Sequence, residues 1–576
     1  MDRKSFFKKL NPERQKKSPI GSTLNSDKIN EPIPVPELMP LNSGLAPYSG
    51  SWGRYEIRHL LKRLTFGAPA EDVKFLEKFT YSEAVDLLLN SINPNPGEPL
   101  KHYTHVLLDG FVPSPKDDED WGVPIGKTWV NAISRFYQIN KLRVEGVKCW
   151  WMNLMINQPR SIEEKMILFW TTHFAIEFDQ MDNGIFCYRY LKMLRDLAVG
   201  DFKELTRQMT LSSAMLIYLN GRYNNKIAPD ENYARELQEL FTLGKGPGSQ
   251  YTEDDVKAAA KVLTGWTPTD TGDGVFRLER HDTSDKHFSS FFNNTIIKGQ
   301  NNKLAGEREL GELLDMIFEK EEVSKYMCRR FYRFFVFGNI DETVENEIIT
   351  PLAETFRNNN YQVKPVLEQL FKSEHFFDVL THGSMIKSPL DLVVGAVRDF
   401  KVKFPLAANT KVYYAHMLHI IQQAEILDQS IGEVPNVSGW PAYYQHPLYD
   451  LIWIDTNTLI KRQYFVSNIL KGFTNAGQQT MANVIELAKR MPDASDPVAL
   501  VKDLVEHFLG IPLQPETLER MKVDLLLSGQ ISNYYWTNAW NAYLANPSDP
   551  ILFNNMYTRL NNLVGYIMNM EEYQLM

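Results

Sequence analysis

The stretch from Pro229 to Trp266, PDENYARELQELFTLGKGPGSQYTEDDVKAAAKVLTGW, limits what this chain can fold into more than any other segment. Its first half is amphipathic at helical spacing and stops at Gly244. Glycine takes the left-handed cap conformation that residues with a β-carbon resist. Thr252 with Asp255 has the pattern of a capping box, in which a side chain and its third neighbour exchange bonds with orphan backbone amides. A second helix therefore starts there, and the pair closes on a Gly-Trp step. Two capped helices joined by a glycine turn commit the region to helix-on-helix packing.

The same periodicity recurs along the chain. Helices are predicted from Arg54 to a stop at Gly67, as a pair over 70–92, and over 129–157, 161–178, 184–198, 201–219, 230–243 and 252–264. They resume over 305–318, 321–336, 342–358, 362–372, 389–403, 411–427, 455–471, 479–490, 497–508, 515–527, 534–545 and 550–569. Residues 265–300 break the pattern: Gly, Thr, Asp and Asn are dense, and VFRLER and NTIIKG are strand candidates. The expected fold is predominantly α, a large multi-helix body with a short irregular or β-hairpin insertion near 265–300. Residues 1 to about 50, rich in Lys, Ser, Asn and Pro, read as a flexible tail. Residues 54–300 form an N-terminal helical part and 301–576 a C-terminal one, expected to make one continuous globule. The cluster KDDED, within 109–128, reads as a solvated turn.

Composition excludes several classes. A net charge of −9 over 576 residues gives no attraction to nucleic acid. The three cysteines form no CxxC pair, so neither a zinc knuckle nor a disulfide framework is indicated. No apolar run is long enough to span a bilayer. The start MDRKSFFKKL resembles a twin-arginine signal, but polar residues follow where an apolar segment should be. On that ground a cytoplasmic location is expected, with a periplasmic or exported one as the alternative.

At about 100° per residue, Asn232, Arg235, Glu236 and Glu239 share one arc of the 230–243 helix, and Tyr233, Leu237, Leu240 and Phe241 lie opposite. That arc is either a solvated face, with Asn232–Glu236 and Arg235–Glu239 as i,i+4 pairs, or the wall of a cleft. In a cleft the carboxylates would ligate a divalent metal or act as a general acid–base pair. His173 lies on an apolar face with Met166, Phe169 and Phe174, so it is either a bonded core histidine or a ring oriented for chemistry by Glu177, Asp179 or Asp182. His281, Asp282 and His287 fall on the irregular segment, where they are either exposed turn residues or ligand-binding ones, since such residues concentrate on loops. Residues 434–462 pack Trp440, Tyr443, Tyr444, Tyr449 and Trp453 around two prolines, either as anchors of a long loop or as a shelf for a flat ligand such as a sugar. Asn436 would fix the turn, and Arg462 would grip an anion or pair with an acid.

Taken in order, RHLLKRLTFGAPAEDV, FWTTHF, PDENYARELQELFTLG with YTEDDVKAAAKVLTGW, RHD, KSPLDLVV and PNVSGW resemble the bacterial family known as domain of unknown function 1800, over about residues 54–465. The resemblance implies a mostly helical fold. It also implies a frequent neighbour from the family numbered 1501, similar to sulfatases and alkaline phosphatases. Here HDTSDKHF stands where a Gly-rich, Lys-containing turn is usual after His-Asp. Three functions remain open: a metal-assisted or acid–base hydrolase, with Glu236, Glu239, Arg235 and His173 as its machinery; an accessory protein binding a partner or polysaccharide; and a structural module.

Overall fold

The computed structural model describes residues 43–576, apart from 94, 105–117 and 406. The helical body is built around two helices with no solvent face. Glu163–His173 and Pro389–Phe400 are buried at every position. Such helices must neutralise whatever charge they carry. Glu163 and Glu164 share Arg195 at 3.0 and 2.7 Å, and Lys165 is paired with Asp391. Arg398 donates to the carbonyls of Phe66, Ile156 and Gln158.

The longest helix, Tyr137–Asn157, packs against Gly184–Asp196, Pro389–Phe400 and Thr410–Ile426. Its crossing with Gly184–Asp196 is close because Gly184 has no β-carbon. One there would stand 2.4 Å from the Arg143 Cβ and 2.9 Å from the Trp129 ring. The C-terminal segment is joined to the body by backbone as well as side chains. Ile386 bridges Leu575, Lys387 N–H donates to the Gln574 carbonyl at 2.8 Å, and the Lys62 ammonium donates to the Phe508 carbonyl at 2.9 Å.

The fold is predominantly α, with small two-stranded hairpins among the described residues. Two lie in the irregular insertion: Trp266–Pro268 with Gly274–Phe276, and Lys286–His287 with Ile296–Ile297. A third, Phe473–Asn475 with Gln478–Thr480, was not expected and shortens the helix read over 479–490 to Val484–Ala488. The 201–219 segment is two helices, because Ser212 adopts an extended backbone and caps the second through Met215 N–H.

Two expectations need correction. Most of the expected tail, residues 1–42, lies outside the described residues, but 43–50 is fastened to the body. Tyr48 N–H donates to the Lys372 carbonyl at 2.9 Å, Ser43 to Asp378 at 2.6 Å, and the Tyr48 ring packs on Phe377. Of the acidic cluster, residues 116 and 117 lie outside the described residues; Glu119 is exposed, but Asp118 and Asp120 are buried, so this part is not simply a solvated turn. Asp120 is fully buried, with Arg143 at 2.6 Å, Lys101 at 2.8 Å and the Tyr103 hydroxyl at 2.9 Å. Burial raises its carboxyl, but the two cations outweigh that and hold it below the ordinary value.

Candidate functional site

The signature helix begins as α over Asn232–Glu236 and widens to a π turn over Leu237–Thr242. The Thr242 hydroxyl donates to the Leu237 carbonyl and Leu243 N–H to the Gln238 carbonyl, both five residues back. Such turns cost hydrogen-bond quality and recur at functional sites. Widening also changes which side chains are buried. Tyr233, Ala234, Leu237, Gln238, Phe241 and Thr242 face inward, a repeat of four, while Leu240 is pushed to the half-exposed side. Gly244 ends the turn at φ +76°, and a β-carbon there would stand 2.5 Å from the Tyr326 ring. The Thr252–Asp255 capping box then opens the helix Glu253–Val262.

Charge on the outer face is unevenly satisfied. Arg235 is forked onto Glu253 at 2.8 and 2.7 Å and reaches Glu231 at 3.2 Å. The expected Arg235–Glu239 pair does not form; the π turn rotates Glu239 towards Lys245, 2.5 Å away. Glu236 is half-buried and accepts no hydrogen bond from the described residues. Burial, then the neighbouring Glu239 carboxylate, push its carboxyl above the ordinary value against the pull of Arg235 and Lys245. The Tyr251 hydroxyl beside them is pushed up by burial and by Glu239. Arg235, Glu236, Glu239, Lys245 and Tyr251 therefore form one electrostatic group.

His173 touches this segment from beneath. Its Nε2 lies 3.1 Å from the Phe241 carbonyl, so that nitrogen carries the proton. The ring is enclosed by Phe169, Trp170, Phe174, Phe202 and Phe241. Burial, then Arg330, hold its pKa well below the ordinary value, so the ring is neutral. It ties the buried helix Glu163–His173 to the backbone of the π turn rather than to the carboxylates.

The other candidates lie in separate local networks. Asn232 is exposed and donates to the Leu219 carbonyl at 3.3 Å. His281 is buried, with Nδ1 3.0 Å from the Thr264 carbonyl and Nε2 3.1 Å from Glu309, whose other oxygen lies 2.5 Å from Lys286. Asp282 closes its own turn onto Ser284. Asn436 fixes the loop by accepting from Ser438 N–H at 2.9 Å and donating to the Tyr444 hydroxyl at 3.1 Å. Trp440, Tyr443, Tyr449 and Trp453 are buried, so four of the five expected rings anchor the loop instead of forming an exposed shelf. Arg462 grips no anion; it is fully buried and donates to Gln574 and to the carbonyls of Lys387 and Trp453.

Tyr251, Lys286, Glu309 and the arginines of the helix Glu321–Phe335 did not figure among the sequence candidates. In YMCRRFYRFF, arginines at i and i+3 amid core residues were the available signal. Among the described residues no three His, Cys, Asp or Glu side chains converge as a metal site. A surface groove of about 400 Å3 lies elsewhere, lined by Lys192, Arg207 and Asp273, but Lys192 and Arg207 are already paired with Asp196 and Glu204.

The family model described as "Protein of unknown function (DUF1800)" matches residues 59–575. The chain belongs to the DUF1800 family. No curated protein and no solved structure matches it. The DUF1800 match runs more than a hundred residues past the segment in which the sequence motifs were read. That extent agrees with the structure, in which residues 574 and 575 are hydrogen-bonded beside Lys387 of the KSPLDLVV motif. No helix among the described residues is long and apolar enough to cross a membrane.

Proposed function

We propose that this DUF1800 chain is an acid–base hydrolase with Glu236 as proton donor and Glu239 as the partner carboxylate. The observation that carries the reading is the contrast between the two. Glu236 has no hydrogen-bond partner among the described residues and a raised carboxyl, whereas Glu239 is paired with Lys245 at 2.5 Å. Environments that separate two carboxylates in this way mark acid and base roles. In the reaction Glu236 protonates the leaving group, Glu239 takes a proton from the attacking water, and Tyr251 donates a hydrogen bond to the substrate beside them. Arg235 is a positioning residue, because its fork onto Glu253 fixes the second helix of the motif against the first.

The test is a panel of chromogenic esters, phosphoesters and glycosides assayed with the wild type, Glu236→Gln and Glu239→Gln. Both variants are expected to lose at least about a hundredfold in kcat, the usual scale for a positioned acid or base. The alkaline limb of the wild-type profile should move when Glu236 is replaced, because only its protonated form donates. Turnover by Glu236→Gln equal to wild type on every responsive substrate would sink the reading.

A further inference from the structure

The helix Glu321–Phe335 carries Arg329, Arg330 and Arg333, and it treats them differently. Arg329 is fully matched: it forks onto Glu345 at 2.8 and 2.7 Å and reaches Glu322 at 2.6 Å. Arg330 and Arg333, one turn apart on another face, meet no carboxylate among the described residues. Arg330 is only 7% exposed, yet its one hydrogen bond is a long 3.4 Å donation to the Thr172 carbonyl. Its remaining N–H groups have no partner among the described residues. Arg333 lies over the Tyr449 ring at 5.5 Å and interacts with the Tyr449 hydroxyl, while its Nε is buried without a partner among the described residues.

Two elements complete the surroundings. The PNVSGW loop comes so close that a β-carbon on Gly439 would stand 2.3 Å from the Thr172 carbonyl oxygen, the atom Arg330 reaches. The following turn, Pro441–Tyr443, packs on the same helix through Tyr443 and Phe334, 4.8 Å apart. His173 alongside is neutral, so it neither adds to nor offsets the positive charge. Placing a buried guanidinium beside a half-buried one is costly unless an anion joins them. Guanidinium forks are also the side chains best shaped to hold oxyanions.

We propose that Arg330 and Arg333, between the helix Glu321–Phe335 and the PNVSGW loop, bind a tetrahedral oxyanion, the phosphate or sulfate group of a ligand. Such a group carries up to two negative charges and so matches two cations that meet no carboxylate among the described residues, which a single carboxylate does not. Arg330 and Arg333 are not among the charges that act on Glu236, which are Glu239, Arg235 and Lys245. The oxyanion site stands whether or not the hydrolase reading does.

The experiment is equilibrium dialysis of the full chain against labelled inorganic phosphate and, separately, sulfate, at constant ionic strength set with chloride. Wild type is expected to bind one of the two saturably at about one per chain, and the arm that saturates identifies the group. Arg333→Gln should weaken binding at least about tenfold, the loss of one charge-assisted bond. Arg330→Gln should do the same, with Arg330→Lys intermediate because the charge stays and the fork goes. Should Arg330→Gln fail to fold, the half-exposed Arg333 position still decides the matter, with circular dichroism as the check on folding. Glu236→Gln should bind as wild type does. No saturable binding of either anion, Arg333→Gln binding like wild type, or displacement of phosphate by malonate but not by sulfate would each overturn the proposal.

Discussion

Two kinds of helix in this molecule carry buried charge, and they handle it in opposite ways. In Glu163–His173 and Pro389–Phe400 the acids and bases are matched: Glu163 and Glu164 with Arg195, Lys165 with Asp391, Asp399 with Ala68 N–H, and Arg398 with backbone carbonyls. In the signature helix and in Glu321–Phe335 matched and unmatched groups stand side by side, Glu239 with Glu236 and Arg329 with Arg330. Pairing offsets the cost of burial and makes a charge structural. A charge left without a partner in an otherwise matched neighbourhood keeps that capacity for a ligand or a reaction.

The sharpest way to break the comparison is at the matched end. Asp120→Ala strands two buried cations, Arg143 and Lys101. It is expected to cost about 3–5 kcal/mol, the scale for removing one member of a buried pair. Urea unfolding at pH 7 measures it; a loss below about 1 kcal/mol would place this network with ordinary surface ion pairs.

Asp450 tests the same rule from the other side. It is buried, its carboxylate accepts Ile386 N–H at 2.7 Å, and burial pushes its pKa up to about 6. A folded pKa above the unfolded value means the folded state holds its proton longer, so this group's contribution to stability falls as pH rises from about 4 through 6. Asp450→Asn can still accept from Ile386 and removes the penalty. It is expected to unfold like wild type near pH 4 and to be more stable by about 2–3 kcal/mol at pH 8. Parallel urea curves with no pH-dependent gap would show that the carboxylate is compensated after all.

Much of this arrangement was legible because it is local. The Thr252–Asp255 box, the Gly244 stop and the apolar setting of His173 are fixed by near neighbours, and the structure reproduces each. Gly244→Ala measures how firmly such a local signal is held. Positive φ and the Tyr326 ring together should cost about 1–3 kcal/mol in thermal unfolding. What stayed hidden depends on distant partners. The His173 acceptor is 68 residues away, and Arg143 meets Asp120 across 23. The π turn was also invisible, since a straight 3.6-residue helix puts Leu240 inside and Glu239 against Arg235. The buried Gln238 and the Tyr326 hydroxyl on the Leu240 carbonyl go with the wider turn.

The smallest stability effect is expected where the charge is unmatched. Glu236 makes no hydrogen bond with the described residues, so Glu236→Gln removes none and should change stability by no more than about 0.5 kcal/mol at pH 7. The sign follows from the raised carboxyl. Wild type loses a little stability as pH rises from the unfolded value through the folded one, and Gln does not. The variant should therefore match wild type near pH 3 and be marginally the more stable above the raised pKa. Circular dichroism melts at the two pH values, set beside the same pair for Asp120→Ala, put the comparison in one experiment. A destabilisation by Glu236→Gln as large as that of Asp120→Ala would mean Glu236 is tied into the fold, and the distinction between matched and unmatched charge would fall with it.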